Sequence, residues 1–218
     1  MISRWLGRLG YAEAVAAQEA VRERILGGDE RAASVLLCEH PPVITRGRSA
    51  RAGHVVAAGG ELARLGVQVH DSSRGGDVTY HGPGQLMVYP VVRLRRGVVV
   101  HLETVAGVLA EVAAELGAPG ARFRRAPTGL WLGEAKLAAC GLHVRRGVAI
   151  HGFALDVDTP PAMWRLIVPC GIQGVRTVSL AAAAGGAPPV AEVAERVGPR
   201  LAAALAPSAP AATMEAQP

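Results

Sequence analysis

Residues 129–157 read GLWLGEAKLAACGLHVRRGVAIHGFALDV, and this stretch decides the fold class. Apolar, β-branched and aromatic residues fill three segments, 130–132, 136–144 and 148–157. Residues 133–134 and 145–147 separate the segments, and each break contains a glycine of the kind that tight turns require. The pattern therefore predicts three consecutive strands joined by short turns.

Helical patterns lie on both sides of these strands. Apolar residues recur at helical spacing over 101–116, where Gly117 ends the predicted helix, and over 11–26, where Gly27 does so. Residues 190–205 predict a weaker helix that Pro199 interrupts. Short strands are predicted at 34–37 and 67–70 and up to Val92, a short helix at 61–65, and a short helix or irregular segment at 163–168. Because strands and helices do not alternate as βαβ units, the prediction is an α+β (mixed α/β) domain, a mixed sheet with flanking helices.

The length of 218 residues predicts a single domain, which we place at 1–205. Residues 206–218 are rich in Ala and Pro and are predicted to be a disordered tail. No run of about 18 apolar residues occurs, so no membrane span is expected. The first 15 residues lack the apolar run of a signal peptide, and a cytoplasmic location is the expectation.

The charge of the chain favours an acidic partner. The formal net charge is +5 and the sequence pI is about 9.7. Aromatic side chains are few and do not alternate with the basic clusters, which argues against nucleic-acid binding. A small acidic carrier protein that meets a basic rim fits the charge better.

Three cysteines, Cys38, Cys140 and Cys170, are too few and too widely spaced for a disulfide scaffold, and no Cys-x-x-Cys pair suggests a metal site. Cys170 lies between Pro169 and Gly171, a setting that can expose a thiol in a turn. The other reading is a small buried hydrophobic residue, which is the common fate of a free cysteine. We interpret Cys38 as structural. For Cys140 two interpretations stay open, a structural residue or a residue in the same pocket wall as the lysine described next.

The chain has 23 lysines and arginines, of which Lys136 is the one lysine, and it has no asparagine. Lysine differs from arginine most where the amine must lose its proton, so Lys136 is a functional candidate. The alternative is a solvated lysine on an edge strand. In a regular strand Lys136 would share a face with Ala138 and Cys140.

Residues 74–85, RGGDVTYHGPGQ, form a glycine-rich loop that carries varied polar groups. The loop lacks the Gly-Lys-Ser/Thr of a nucleotide-binding P-loop and the G-x-G-x-x-G of a dinucleotide site. It is followed in order by Thr128-Gly129-Leu130-Trp131, by Lys136 with Ala139-Cys140-Gly141, by His151-Gly152-Phe153-Ala154-Leu155, and by Pro169-Cys170-Gly171-Ile172. These separated motifs resemble the octanoyltransferases, also called lipoyl(octanoyl) transferases or lipoate-protein ligase B, over about residues 5–182.

The resemblance implies a fold, the catalytic domain shared with biotin and lipoate protein ligases, and a reaction. Octanoate passes from octanoyl-acyl carrier protein to a lysine of a lipoyl domain, the first step of protein lipoylation. Cys170 matches the nucleophile that carries the acyl group as a thioester, and Lys136 the residue that activates it. The implied substrate-contacting positions are Arg74, Gly75, Gly76, Asp77, Val78, Thr79, Tyr80, His81, Ala139, Cys140, Gly141, Gly152, Phe153 and Ala154. For the apolar tunnel of the octanoyl chain we select Val78, Leu142 and Phe153.

The resemblance also implies partners and cofactors. The acceptors are the lipoyl domains of 2-oxoacid dehydrogenases and the glycine cleavage H protein, and the enzyme is expected to be a monomer. No metal, ATP or other cofactor is expected, because the thioester donor already carries an activated acyl group. One position departs from the family: Asp156 stands where asparagine is usual, which adds a negative charge near the expected site.

Two other functions compete with this hypothesis. An ATP-dependent lipoate or biotin protein ligase would have the same fold and also need a lysine, although Cys170 in Pro-Cys-Gly argues against it. A basic binding module without catalysis is the third reading. Formation of a covalent octanoyl adduct distinguishes the three.

Overall fold

The computed structural model describes residues 1–206. The strands are β1 (Ile2–Arg8), β2 (Ser34–Glu39), β3 (Val43–Arg46), β4 (Gln68–Asp71), β5 (Val78–His81), β6 (Gln85–Arg93), β7 (Arg122–Arg125), β8 (Thr128–Leu132), β9 (Ala135–Arg145), β10 (Val148–Asp156) and β11 (Arg176–Thr177). The helices are α1 (Tyr11–Leu26), α2 (Gly59–Arg64), α3 (Gly97–Glu115), α4 (Leu180–Ala184) and α5 (Val190–Ala204), and short 3₁₀ turns cover 30–32, 161–166 and 169–171.

The larger sheet has the strand order β1-β2-β6-β10-β9-β8-β7, and β11 adds to β9. The pairs β1–β2 and β9–β11 are parallel and the others are antiparallel, so the sheet is mixed. A smaller sheet has the strand order β4-β3-β5, and β5 lies within the glycine-rich segment 74–85. The α+β class and the mixed sheet with flanking helices are confirmed.

Both faces of the larger sheet are covered by helices. Alternate residues of β2 show this, since Val35 and Leu37 pack with α3 and α5 while Leu36 and Cys38 pack with α1. A strand buried on both faces needs apolar residues at consecutive positions, which explains the run Ser-Val-Leu-Leu-Cys. The smaller sheet has an apolar cluster of its own, centred on Ile44, Tyr80 and Trp164.

Helix α3 is long and apolar enough to cross a membrane by length and composition alone. In the fold, one side of α3 is fully buried in the core through Val105, Leu109 and Val112. A core helix of this kind meets the same length and composition criteria, and its contacts with α5 and β7 account for its apolar character.

Several predicted elements are confirmed. Helix α1 has the predicted bounds, α3 begins four residues before the predicted start, and β9 and β10 match within one residue. The interruption of the last helix was wrong, because α5 continues through Pro199. Its buried side, which includes Val193, Val197 and Leu201, packs on the sheet and on α3 and offsets the lost backbone hydrogen bond. Strands β1, β3, β5, β7 and β11 and the short helix α4 were not predicted. Of the predicted tail, all but Ala206 lies outside the described residues.

Candidate active site

A cavity of about 430 Å³ opens where β5 and the glycine-rich loop meet strands β6, β9 and β10 of the larger sheet. The cavity brings together the motifs that lie far apart in sequence. The predicted site residues that line it are Arg74, Gly75, Gly76, Asp77, Val78, Thr79, His81, Lys136, Ala139, Cys140, Gly141, Gly152, Phe153, Ala154 and Cys170.

Cys170 lies at this cavity on a 3₁₀ turn and adopts the left-handed backbone conformation, with φ 59° and ψ 14°. That conformation is costly for a residue with a Cβ, by about 1–3 kcal/mol, and persists only where surrounding contacts enforce it. The turn directs the thiol to Lys136, and Nζ lies 2.9 Å from Sγ. The two residues are 34 positions apart in sequence.

Lys136 has only 2% of its surface exposed, although it carries a charged head. Its Nζ also donates to the Thr128 carbonyl at 3.1 Å and lies 4.9 Å from the centre of the Trp131 ring. The ammonium group is therefore held by an oxygen, a sulfur and an aromatic face. The edge-strand alternative, a solvated lysine, does not apply.

Lys136 does not share its side of the strand with Ala138. The register between β8 and β9 shifts at this point, since Leu130 pairs with Ala138 but Trp131 pairs with Lys136. The extra residue on β9, Leu137, forms a bulge, and Leu137 and Ala138 both enter the apolar core. The expectation of a shared face was therefore wrong for Ala138, whereas Cys140 does line the cavity with Lys136.

The other two cysteines are poor nucleophiles. Burial raises the pKa of Cys140 to about 12 and raises that of Cys38 well above its ordinary value. Cys38 is completely buried in the core, as its structural interpretation requires. Cys170 is the cysteine whose sulfur lies against the amine of Lys136.

Arg74 projects from the glycine-rich loop and is 8% exposed. Its guanidinium donates to the Thr45 hydroxyl and carbonyl at 2.7–3.0 Å and to the Gly75 carbonyl at 3.0 Å. The Thr45 hydroxyl also meets Nε2 of His81 at 3.3 Å. This network fixes a cationic group at the cavity wall with little freedom to move.

The polar lining of the cavity includes two residues that sequence analysis missed, Tyr11 and Tyr89. Nδ1 of His40 faces the Leu9 carbonyl at 2.8 Å and must donate to it, so Nε2 accepts from the Tyr89 hydroxyl at 2.9 Å. Tyr11 shares a 2.6 Å hydrogen bond with Ser72. Neither tyrosine belongs to one of the sequence motifs. Tyr11 lies on α1 and Tyr89 lies on β6.

His151 belongs to the motif at 151–155 but not to the predicted site residues, and it also lines the cavity. Burial, followed by the charge of Arg74, lowers the pKa of His151 to about 3, so the imidazole is neutral at physiological pH. Its Nε2 lies 3.0 Å from the Ser73 hydroxyl. His151 is therefore a neutral hydrogen-bonding group and does not add positive charge to the cavity.

The apolar part of the cavity contains the three residues selected for the acyl tunnel, Val78, Leu142 and Phe153. Sequence analysis missed further apolar lining residues from β6, from α3 and from the segment after Cys170, namely Met87, Val98, Leu102 and Ile172. The helical periodicity of α3 predicted a core stripe, but it gave no sign that the first turns of the helix reach a cavity.

Two positions differ from expectation. Tyr80 does not line the cavity, because alternation along β5 turns it away from the side of Thr79 and His81 and it packs against Trp164. Asp156 does not line it either. Asp156 is buried, and its Oδ1 accepts from Gln85 Nε2 at 2.9 Å and Thr159 Oγ1 at 2.7 Å. Burial raises the pKa of Asp156 to about 7, so the expected negative charge is only partly present at neutral pH.

Within residues 1–206, no cluster of three or more His, Cys, Asp or Glu side chains has the arrangement of a metal site. Fold and site together describe an enzyme domain in which a cysteine–lysine pair stands at the edge of a largely apolar cavity. Residues 10–202 match the family model of the lipoyl protein ligase A/B catalytic domain, and the chain belongs to this family.

Curated relatives show to which group within this family the chain belongs. The chain is 41% identical over 178 residues to an octanoyltransferase of Alkaliphilus metalliredigens, covering 79% of this chain and 81% of that one. It is 43% identical over 201 residues to an octanoyltransferase of Chloroflexus aggregans, covering 88% and 89%. The chain is thus a member of the octanoyltransferases.

Proteins of known structure share the fold of this chain. Lipoate-protein ligase A bound with ATP superposes with a TM-score of 0.69 at 15% identity, over 94% of this chain and 86% of that one. Biotin protein ligase from Aquifex aeolicus superposes with a TM-score of 0.52 at 15% identity, over 93% and 69%. The predicted relation to the ligase catalytic domains is confirmed at the level of fold.

Proposed function

We propose that this octanoyltransferase transfers octanoate through a thioester on Cys170, with octanoyl-acyl carrier protein as donor and a lipoyl-domain lysine as acceptor. The observation that carries the proposal is the 2.9 Å contact between the Cys170 sulfur and the amine of Lys136, the one lysine in the chain, beside a cavity with apolar walls. Membership of the octanoyltransferases supports the acyl group.

In the first half-reaction, the Cys170 thiolate attacks the carbonyl carbon of the donor thioester. The new C–S bond forms as the bond to the carrier sulfur breaks, and the carrier leaves as a thiolate that takes up a proton. The Lys136 ammonium group stabilises the thiolate before attack and can supply that proton.

In the second half-reaction, the neutral amine of the acceptor lysine attacks the acyl-enzyme. An amide forms, the C–S bond to Cys170 breaks, and the nitrogen loses one proton. Lys136 in its neutral form, left after protonating the carrier thiolate, accepts that proton and returns to the ammonium form. Two successive transfers through one thiol constitute a ping-pong scheme.

Backbone amides at the site are suited to the oxyanion of both tetrahedral intermediates. Cys170 and Gly76 line the cavity, and their N–H groups donate to no acceptor within residues 1–206. Preorganised donors of this type stabilise charge that develops on a carbonyl oxygen. The acyl chain would lie along Val78, Leu142 and Phe153, and Arg74 would orient the polar end of the donor.

The partners follow from the same proposal. The donor is the acidic acyl carrier protein, and the acceptors are lipoyl domains of 2-oxoacid dehydrogenases and the glycine cleavage H protein. The enzyme acts as a monomer in the cytoplasm. The net charge of +5 supports encounter with acidic carriers.

The test is an intact-mass spectrum after incubation with octanoyl-carrier protein. We expect one octanoyl adduct, which is lost in Cys170→Ala and is retained in the control Cys38→Ala, since Cys38 lies in the core away from the cavity. An adduct that persists in Cys170→Ala would exclude the nucleophile assignment. Labelling of a lipoyl domain from free octanoate and ATP would instead establish the ligase alternative.

A further inference from the structure

A histidine outside the predicted site approaches the nucleophile turn from the side of the glycine-rich loop. His54 Nδ1 lies 2.8 Å from Asp77 Oδ2, and the two side chains are 22% and 9% exposed. The second carboxylate oxygen of Asp77 accepts from the Val78 backbone N–H at 2.7 Å. Since a carboxylate only accepts, the proton of this pair lies on Nδ1 of His54.

The backbone around His54 is tied to the segment that leads into Cys170. The Val168 N–H donates to the His54 carbonyl at 2.8 Å, and Val56 N–H donates to the Leu166 carbonyl at 2.9 Å. An antiparallel bridge joins Val55 and Ile167 between them. Residues 54–56 therefore form a short ladder with 166–168 that ends two residues before the nucleophile.

The side chains of the pair pack against Gly171. A Cβ at Gly171 would collide with Asp77 Oδ2 and would lie 2.9 Å from His54 Cε1. Gly171 has φ 68°, so it and Cys170 form two successive left-handed residues. The backbone hydrogen bonds of the turn itself run from Gly171 to Val168 and from Ile172 to Pro169.

A left-handed cysteine needs support from outside its own turn, because its intrinsic backbone preference is elsewhere. The pair provides a rigid surface directly behind Gly171. His54 and the Val78 backbone also supply N–H donors to both oxygens of Asp77, which fixes the orientation of the carboxylate.

We propose that His54 is a positioning residue: it orients Asp77, and the two side chains together brace the Cys170–Gly171 turn so that the thiol stays against Lys136. The inference rests on the proposed thioester function, and it assigns to His54 a part that neither the motifs nor the predicted site contained. His54 acts through the turn and does not itself enter the reaction.

The experiment measures single-turnover acylation of Cys170 from octanoyl-carrier protein, by intact mass, in His54→Ala, Asp77→Ala and the double variant. We expect each single variant to acylate more slowly by on the order of 10- to 100-fold, because a small displacement of a reacting atom is costly. The double variant should be no slower than the slower single variant, since both changes remove the same brace.

Three readouts separate positioning from general structural damage. The donor concentration at half-maximal rate should stay within about two-fold of wild type, because His54 does not contact the donor. Alkylation of Cys170 by iodoacetamide at pH 7 should be slower in the same variants in which acylation is slower. His54→Asn should restore part of the rate, since its amide can donate to Asp77 in place of Nδ1.

His143→Ala is the matched control, because His143 is a partly exposed histidine on β9 that contacts Arg22 and does not line the cavity. It should acylate like wild type. The inference is overturned if His54→Ala acylates within two-fold of wild type, or if His54→Asn is no faster than His54→Ala. The inference is also overturned if the effects of the two single changes multiply. A wild-type protein that forms no adduct would instead contradict the proposed function itself.

Discussion

The residue type of Lys136 and the contacts of its amine both fit the proposed role in proton transfer. Every other lysine or arginine position of the chain holds arginine. The buried cation beside the Cys170 thiol is nevertheless a lysine. An ammonium group can give up its proton and take it back, whereas a guanidinium practically cannot. The contacts with Thr128 and Trp131 hold the amine where such a proton transfer would be useful.

Lys136→Arg tests this role directly. The variant keeps the positive charge, so we expect some acyl-enzyme to form. Transfer to the lipoyl-domain lysine should slow by about 10²–10⁴-fold, the range for loss of a general acid–base group. The two half-reactions can be followed separately by intact mass. An arginine variant that discharges its acyl group as fast as wild type would rule out proton transfer by Lys136.

The buried carboxyl group of Asp156 should make the stability of the fold depend on pH. Aspartate in an unfolded chain titrates near pH ~3.9, but burial raises the pKa of Asp156 to about 7 in the fold. Between these values the folded chain holds a proton that the unfolded chain has lost. The contribution of Asp156 to stability therefore falls as the pH rises from ~4 to about 7 and stays low above that.

Asp156→Asn removes the ionisation and keeps the acceptor oxygen for Gln85 and Thr159. We expect the variant to be more stable than wild type at pH 8 by on the order of 1 kcal/mol or more, or ~2–4 °C in Tm for each kcal/mol. At pH 5, where the folded carboxyl is still protonated, the difference should be smaller than at pH 8. Thermal melts at both pH values provide the measurement, and an equal difference at pH 5 and pH 8 would contradict the assignment.

At the scale of elements, the site depends on two irregularities in the sheet. The β8–β9 bulge at Leu137 separates Lys136 from the core residues that follow it. In β10, His151 adopts φ 62°, and no β6–β10 pairs form between Ala149 and Phe153, opposite Pro90. The freed N–H of His151 donates to buried Gln18 of α1 at 2.7 Å. Bulges and left-handed residues of this kind often redirect side chains beside active sites.

The absence of a side chain at Gly129 on β8 leaves room for the side chain of Lys136. It has φ 154°, and a Cβ there would lie 2.7 Å from the Ala138 carbonyl and 3.2 Å from Cε of Lys136. Gly129→Ala should therefore separate β8 from β9 or displace the lysine, costing about 1–3 kcal/mol together with most of the acylation rate. Thermal melting and adduct formation measure the two effects.

The matched control for Gly129→Ala is Gly107→Ala in α3, where a Cβ meets nothing within 4 Å. Alanine is favoured over glycine in a helix by up to ~1 kcal/mol. The control should be as stable as wild type or more so, with normal acylation. If both variants behaved alike, the close approach at Gly129 would be irrelevant to the site.

At the scale of the whole molecule, a basic and apolar rim lies at the start of α3. Arg95 and Arg96 are exposed and have no ion pair within residues 1–206, and the next turn exposes Val98, which also lines the cavity. No acidic residue lies in the first turn of α3. An acidic carrier that delivers an acyl chain to the cavity would meet complementary charge there.

Charge reversal of both residues, Arg95→Glu with Arg96→Glu, should raise KM for octanoyl-carrier protein by about ten-fold, equivalent to ~1.4 kcal/mol. The effect should shrink as salt increases, because exposed charges are screened. Alkylation of Cys170 by iodoacetamide should not change. Arg196→Glu on α5 is the control, as an exposed arginine on a helix that does not line the cavity. Equal changes in KM for both variants would argue against docking at α3.

The fold class, α1, α3, the β9–β10 hairpin and the chemical groups of the site could be predicted from the sequence. These follow from local periodicity, turn residues and motifs, which act over a few residues. The three-dimensional fold was needed to show that the Cys170 sulfur meets the amine of Lys136 and that Tyr80 faces away from the cavity. It alone placed Tyr11, Tyr89 and His54 around the site. Those placements depend on strand register, a bulge and packing between distant segments, and these long-range contacts have no signature in local sequence.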